Sequence, residues 1–113
     1  MQIKSLYKAQ LGTTEVDLYP VPINKTAIIK GIRLVNTSSA SVTVNLFVRR
    51  ATGGTSYRIL PKDVTLAPSA ALVDDSEITL EGLTTLGGED RVRGLASAAT
   101  AIDCVISGVE RDA

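Results

Sequence analysis

Apolar and polar residues alternate most clearly in residues 26–50, TAIIKGIRLVNTSSASVTVNLFVRR. From position 42 to 48 every second residue is aliphatic, and polar side chains fill most of the gaps: Val42, Val44, Leu46 and Val48 alternate with Thr43 and Asn45. This period of two is typical of a strand with one buried face. Two such runs around the polar turn at residues 36–40 predict a long amphipathic hairpin. In so short a chain, that hairpin indicates a small antiparallel β-sandwich.

In the first of the two runs, the apolar residues do not keep the period of two. Ile29 and Ile32 are three residues apart, so they cannot share one face of a regular strand. Gly31 lies between them, and a β-bulge there would turn Ile29, Ile32 and Leu34 inward. The alternative is a strand that is buried on both faces. The glycine favours the bulge.

Short β-rich runs bounded by Gly, Pro, Asn and Ser fill the rest of the chain: residues 2–11, 15–19, 57–60, 64–66, 70–73, 77–80, 90–95 and 100–109. Turn signals that recur every eight to twelve residues or so are typical of sandwiches. We therefore predict an all-β fold, a single antiparallel sandwich of jelly-roll or immunoglobulin-like type with about eight short strands and no long helix. Residues 1–11 form either its first strand or an N-terminal arm.

Two segments carry more specific expectations. In residues 15–19 the alternation predicts that Val16 and Leu18 point inward while Tyr19 points outward. In residues 95–106 the apolar positions also fit an amphipathic helix. The β-branched residues and the alternation of Ile102 with Ile106 favour a strand there.

The amino-acid composition disfavours several classes of function. The chain has 113 residues, 44% of them apolar, which is consistent with one domain spanning residues 1–113. Twelve basic and twelve acidic side chains give a net charge of zero, which argues against binding to nucleic acid. No apolar run approaches a membrane span, and the start lacks the apolar core of a signal peptide. We expect no membrane partner and assembly in the cytoplasm.

Groups that could perform catalysis are scarce. Histidine is absent, which removes the commonest general base and metal ligand and excludes a Ser-His-Asp triad. Cys104 is the single cysteine, and Ile102 and Ile106 flank it on the same predicted strand face. A buried, unreactive thiol is therefore favoured over a nucleophile. We predict a protein that is not an enzyme and has no catalytic residues.

Carboxylates cluster at Asp74, Asp75 and Glu77, and again at Glu89 and Asp90. Such pairs could support glycoside hydrolysis or a calcium site. The few aromatic residues disfavour a sugar cleft, and the spacing matches no EF-hand. We predict solvated loop charges, with no metal and no cofactor.

Arginines occur as the pair Arg49 and Arg50, and as Arg91 with Arg93. No aromatic residues are interleaved with them, so a nucleic-acid surface is disfavoured. We predict that these guanidinium groups pair with carboxylates on a neighbouring subunit.

Other surface features provide weaker candidates. The turns at residues 51–56 and 82–89 are the expected contact loops, from their position alone. Tyr7, Tyr19 and Tyr57 are the aromatic residues that a carbohydrate-binding module could expose.

Three elements together resemble the small β-sandwich structural proteins of tailed bacteriophage virions. They are the strand at residues 29–37 (IKGIRLVNT), the Leu-Ala-Pro step at residues 66–68 and the closing segment at residues 90–110. In the closing segment the matching positions are Asp90, Val92, Gly94, Ala96 and Ser97, then Ser107, Gly108, Val109 and Glu110. These motifs describe strands and turns and carry no catalytic residues.

The resemblance implies a virion component that is assembled in the host cytoplasm. A capsid decoration protein on the head surface is the leading expectation, and a neck, collar or tail-associated component is the alternative. A carbohydrate- or receptor-binding module is a further alternative. Such virion proteins often act as trimers, so the implied partners are other copies of the chain and the major capsid or neck and tail proteins.

Overall fold

The computed structural model describes residues 3–50, 55–75, 77–82 and 89–112. Within these ranges the chain forms ten β-strands and no helix. The strands are β1 (Lys4–Gln10), β2 (Val16–Pro20), β3 (Lys25–Asn36), β4 (Val42–Arg50), β5 (Tyr57–Arg58), β6 (Val64–Leu66), β7 (Ala71–Asp74), β8 (Ile78–Glu81), β9 (Asp90–Ala96) and β10 (Ile102–Asp112). The predicted all-β class is confirmed.

Two antiparallel sheets of five strands each pack face to face. Sheet 1 has the order β1-β10-β3-β7, with β8 also paired to β3. Sheet 2 has the order β2-β9-β4-β5, with β6 also paired to β4. Between the sheets lies an aliphatic core whose largest fully buried members include Leu34, Leu46, Ile102 and Ile106.

The order of the strands distinguishes between the predicted sandwich types. β5 and β6 pair with separate parts of β4, and β7 and β8 pair with separate parts of β3. Each of these two edges is therefore one strand position interrupted by a break, and Pro61, which lacks an N–H donor, lies in the first break. If β5 and β6 are counted together as strand 5, and β7 and β8 together as strand 6, then β9 becomes strand 7 and β10 becomes strand 8. The sheets then have the strand orders 1-8-3-6 and 2-7-4-5. This is the arrangement of a jelly roll.

The predicted central hairpin is wrong, because β3 and β4 do not pair. β3 lies in sheet 1 and β4 lies in sheet 2, so residues 37–41 form an arch that crosses from one sheet to the other. The side chain of Asn36 holds this arch, since its Nδ2 donates to the carbonyls of Ala40 (2.8 Å) and Leu66 (2.9 Å). Two successive amphipathic strands can bury their apolar faces against each other across a core as well as side by side. Alternation alone does not distinguish the two arrangements.

The predicted bulge in β3 is confirmed. The register against β10 skips Lys30, next to Gly31. The skipped residue restores the phase, so Ile29, Ile32 and Leu34 all point into the core and are at most 1% exposed.

The end of the chain is β-structure, as the alternation predicts. β9 and β10 replace the helical alternative, and the small residues between them form a second arch between the sheets. Ile102, Cys104 and Ile106 are fully buried. Within the part of the chain that the structure describes, no helix has the length and apolar character needed to cross a membrane.

The expectation for β2 is partly wrong. Leu18 is buried as predicted, but Tyr19 is also buried (6% exposed), and Val16 is 45% exposed. The register against β9 shifts between Asp17 and Tyr19, so Leu18 and Tyr19 lie together opposite Val92. This bulge turns both side chains inward. No glycine indicates its position in the sequence.

Candidate interaction surface

The outer face of sheet 2 carries the densest set of charged side chains. Alternation along β4 and β9 directs the residues with odd numbers outward, and these are mostly polar, in contrast to their aliphatic neighbours. We call this surface the arginine face, and define it by Arg49, Arg58, Arg91 and Arg93 with Glu15, Asp17, Asp63 and Glu89. Its four cations and four anions balance in formal charge.

Two arginines of β9 form the centre of the arginine face. Arg91 bonds to Asp17 through Nη1 and to Glu89 Oε1 through Nη2, the latter at 2.5 Å. Arg93 lies 3.3 Å from Glu15 Oε2 through Nη1 and 3.0 Å from Asp17 Oδ1 through Nε. These carboxylates belong to the same chain, so the two arginines tie the edge strand β2 to β9. Pairing of Arg91 and Arg93 with a neighbouring subunit stays a prediction.

A second network fixes the β4–β5 side of the arginine face. The guanidinium group of Arg58 lies 4.8 Å from the ring centroid of Phe47, which is a cation–π geometry. Arg58 Nη1 donates to Asn45 Oδ1 at 2.7 Å, and Asn45 Nδ2 donates to Asp63 Oδ1 at 2.9 Å. Phe47 and Asn45 are each only 9% exposed although they point away from the core. This surface is therefore rigid and already half desolvated.

Arg49 differs from the other arginines of this face. It lies on β4 directly opposite Arg91, and its Nε, like those of Arg91 and Arg93, is buried without a hydrogen-bond partner. Among the described residues, no carboxylate forms an ion pair with it. The remaining residues (1–2, 51–54, 76, 83–88 and 113) include no Asp or Glu. Arg49 is thus a half-buried cation that forms no ion pair within the ranges that the structure describes.

The carboxylates singled out from the sequence do not converge. The expectation of a solvated charge is wrong for Glu89, which is 6% exposed because it packs against Arg91. Glu77 forms an exposed ion pair with Lys30 at 2.9 Å, and Asp75 is exposed. Within the described ranges no three acidic or cysteine side chains come together as a metal site would require.

A shallow groove of about 210 Å³ follows the edge pair β1–β10. It is lined by Lys8, Ala9, Gln10, Asp103, Cys104 and Val105. Two of its polar lining residues bond to each other, since Gln10 Nε2 donates to Asp103 Oδ1 at 3.1 Å. The groove therefore follows from the geometry of a strand pair.

Cys104 lies in the core, fully buried, as the sequence predicts. Burial raises the pKa of its thiol to about 12, so very little thiolate forms at neutral pH. We expect an aromatic disulfide reagent at pH 8 to leave native Cys104 unmodified while one thiol per chain reacts in 6 M guanidinium. Rapid stoichiometric reaction of the folded protein would contradict this placement.

The tyrosines occupy three different environments. Tyr57 on β5 is 69% exposed, whereas Tyr7 is partly buried against the core. Tyr19 is buried, so it cannot contribute to an exposed aromatic surface. Its hydroxyl donates to Glu110, whose other oxygen lies 2.5 Å from Lys4 Nζ.

The Tyr19–Glu110–Lys4 cluster joins the two sheets. No sequence pattern indicates it, because its members are far apart in the chain. The bond to Lys4, and then the bond to Tyr19, lower the pKa of the Glu110 carboxyl below its ordinary value of 4.5. Burial, and then the bond to Glu110, raise the pKa of Tyr19. Glu110 therefore stabilises the fold in its ionised form.

This cluster predicts a specific loss of stability in acid. Because the folded pKa of Glu110 lies below its unfolded value, its contribution is complete above about pH 5 and falls as the pH drops through 4.5 and below. We expect Glu110→Gln to be less stable than wild type at pH 7, with a smaller difference at pH 3, measured by urea unfolding. Glu77→Gln, at an exposed carboxylate, is the control. A constant difference across this range would contradict the role of Glu110.

The loops predicted to make contacts lie mainly outside the described residues. Of residues 51–56 the structure describes 55 and 56, and of residues 82–89 it describes 82 and 89. The N-terminal segment forms β1, an edge strand of sheet 1, from Lys4 onward.

The geometry thus defines a jelly-roll sandwich with a rigid, charge-balanced outer face. No protein-family model matches the sequence, and no curated protein matches it. Among solved structures, the chain is similar to one titled "Structure of infectious bursal disease virus Gx strain", with a TM-score of 0.49 and 12% sequence identity. The similarity covers 94% of this chain and 32% of that chain, so the present chain spans about a third of its length.

Proposed function

We propose that this protein is a non-enzymatic structural component of a tailed-bacteriophage virion. The specific role that we propose is capsid decoration, in which several copies associate and bind the head surface. The supporting observation is that the residues carrying the phage resemblance occupy positions that the sandwich itself requires. A protein whose distinctive motifs serve its architecture is suited to a structural role.

The motif in β9 illustrates this point. A Cβ at Gly94 would lie 2.5 Å from Leu46 Cδ2, so this position accommodates only glycine without movement of the core. Ser97 Oγ accepts a hydrogen bond from Thr43 N at 3.0 Å, which closes the arch between β9 and β10 against β4. Both residues are part of the D-x-V-x-G-x-A-S pattern.

The second motif, S-G-V-E at residues 107–110 on β10, also serves the architecture of the sandwich. A Cβ at Gly108 would lie 2.3 Å from the carbonyl oxygen of Ile28. Glu110 binds Tyr19 and Lys4 and so connects the two sheets. These motif residues therefore hold strands together.

The arginine face provides a suitable binding surface. Apart from Arg49, its side chains are held by ion pairs, hydrogen bonds and the Arg58–Phe47 contact before any partner arrives, so little side-chain entropy is lost on binding. Many copies on a repeating lattice would add avidity to each weak contact.

Purified virions provide the test of this function. Quantitative mass spectrometry should detect the protein in dozens of copies or more per particle, and labelled antibody should bind the head. Labelling confined to the neck or tail would instead favour the alternative of a neck, collar or tail-associated component. Intact particles that lack the protein would overturn the virion assignment.

Exposure of Tyr57 favours carbohydrate or receptor binding as a second candidate function. An exposed tyrosine ring on an edge strand is the kind of platform on which sugars stack. A glycan array would test it. Saturable binding that Tyr57→Ala abolishes would support a binding module, and no binding by the wild-type protein would exclude the glycans tested.

A further inference from the structure

One cation of the arginine face, Arg49, forms no ion pair, hydrogen bond or ring contact in the described part of the chain. Arg91 and Arg93 form ion pairs, and Arg58 donates a hydrogen bond to Asn45 and contacts Phe47. The cross-strand neighbour of Arg49 is Arg91, which carries the same charge. Two like charges opposite each other are destabilising. A carboxylate from another molecule would stabilise this half-buried guanidinium group through charge-assisted hydrogen bonds.

Exposed carboxylates that could pair with such a cation lie on the edge of sheet 1. Asp75 lies between β7 and β8, and Glu81 ends β8; both are exposed, and neither forms an ion pair in the described part of the chain. Val73, on the same edge, is 62% exposed, which adds an apolar contact area. We call this the acidic edge and define it by Val73, Asp75 and Glu81.

We propose that Arg49 on one copy pairs with the acidic edge of another copy of this chain. The argument is charge complementarity within a neutral molecule: among the described side chains, Arg49 on sheet 2 forms no ion pair, and neither do Asp75 and Glu81 on the edge of sheet 1. The two surfaces lie at different places on the molecule. Copies can therefore join either head to tail in a closed ring or reciprocally around a two-fold axis. This inference rests on the proposed function, because it specifies how the decorating copies associate.

Charge-reversal variants test the pairing. Light scattering after size exclusion should show that the wild-type protein is a defined oligomer and that Arg49→Glu weakens its association by roughly 30-fold or more. Lys8→Glu, at an exposed cation on β1, should assemble as wild type does. Thermal unfolding of each variant establishes that it is folded.

Reversing the charges on both surfaces tests whether Arg49 pairs with the acidic edge specifically. The double reversal Asp75→Arg and Glu81→Arg should also weaken association, and combining it with Arg49→Glu should restore the oligomer. A monomeric wild-type protein, an unchanged Arg49→Glu oligomer or a triple variant that stays monomeric would each overturn the proposal. Incorporation of the wild-type chain into particles is measured separately, so the virion role can hold while this contact fails.

Discussion

Replacing Gly108 with alanine is expected to lower the free energy of unfolding by about 3 kcal/mol, the upper end of what overpacking usually costs. The added Cβ would lie 2.3 Å from the carbonyl oxygen of Ile28 and 2.9 Å from Leu6 Cδ1. The first of these atoms belongs to the backbone of β3, which pairs with β10 in the middle of sheet 1. The strand pair must therefore move apart, and urea unfolding monitored by circular dichroism measures the cost.

Gly31 provides the matched control for this substitution. It lies on β3 opposite Ser107, one residue from Gly108, and a Cβ built on it meets no atom within 4 Å. Gly31→Ala should therefore change stability by less than about 0.5 kcal/mol, since alanine mainly restricts the unfolded chain. If the two substitutions changed the free energy of unfolding equally, steric crowding would not explain why position 108 requires glycine.

Replacing Asn36 is expected to cost about 3 kcal/mol, because its fully buried side chain satisfies several backbone groups at once. Its Nδ2 donates to the carbonyls of Ala40 and Leu66, and its Oδ1 accepts from Ser38 N at 2.9 Å. The bond to Leu66 joins β3 of sheet 1 to β6 of sheet 2. Asn36→Ala removes the buried donor to the Leu66 carbonyl and the acceptor of Ser38 N, whereas the exposed Ala40 carbonyl keeps its bond from Ser38 Oγ.

Asn36→Asp separates the donor role from the size of the side chain. Aspartate keeps the shape and the acceptor for Ser38 but directs a second acceptor at two carbonyl oxygens, so we expect it to be at least as destabilising as alanine at pH 7. Ser38→Ala, at the edge of the same turn, should cost under about 1 kcal/mol. Urea unfolding of the three variants measures these differences. An aspartate variant as stable as wild type would contradict the proposed role of the amide.

The strands could be predicted because alternation is a local property, but their partners could not. Val42, Val44 and Leu46 indicate a buried face wherever the strand lies, and Gly31 marks the bulge in β3. The bulge at Leu18 has no glycine, so the inward position of Tyr19 was missed. The choice between a hairpin and an arch depends on Asn36, whose bond to Leu66 spans thirty residues of sequence.

The arginine face could be predicted only in part. The spacing of Glu89, Arg91 and Arg93 places these residues on one face of a strand, and that inference was available from the sequence. The approach of Asp17 to Arg91 and Arg93 depends on β2 pairing with β9. Because sequence patterns do not specify that pairing, the charges were assigned to a neighbouring subunit.

The central position of β10 in sheet 1 has a consequence for how the protein folds. β1 and β3 both pair with β10, so neither has its main partner until residues 102–112 have left the ribosome. At a synthesis rate of about 5–20 residues per second, the edge of β3 that pairs with β10 waits roughly 4–15 s for its partner. Long-range pairing of this kind also slows the folding step itself. The unpaired edge of β3 is therefore open to pairing with other chains throughout that interval.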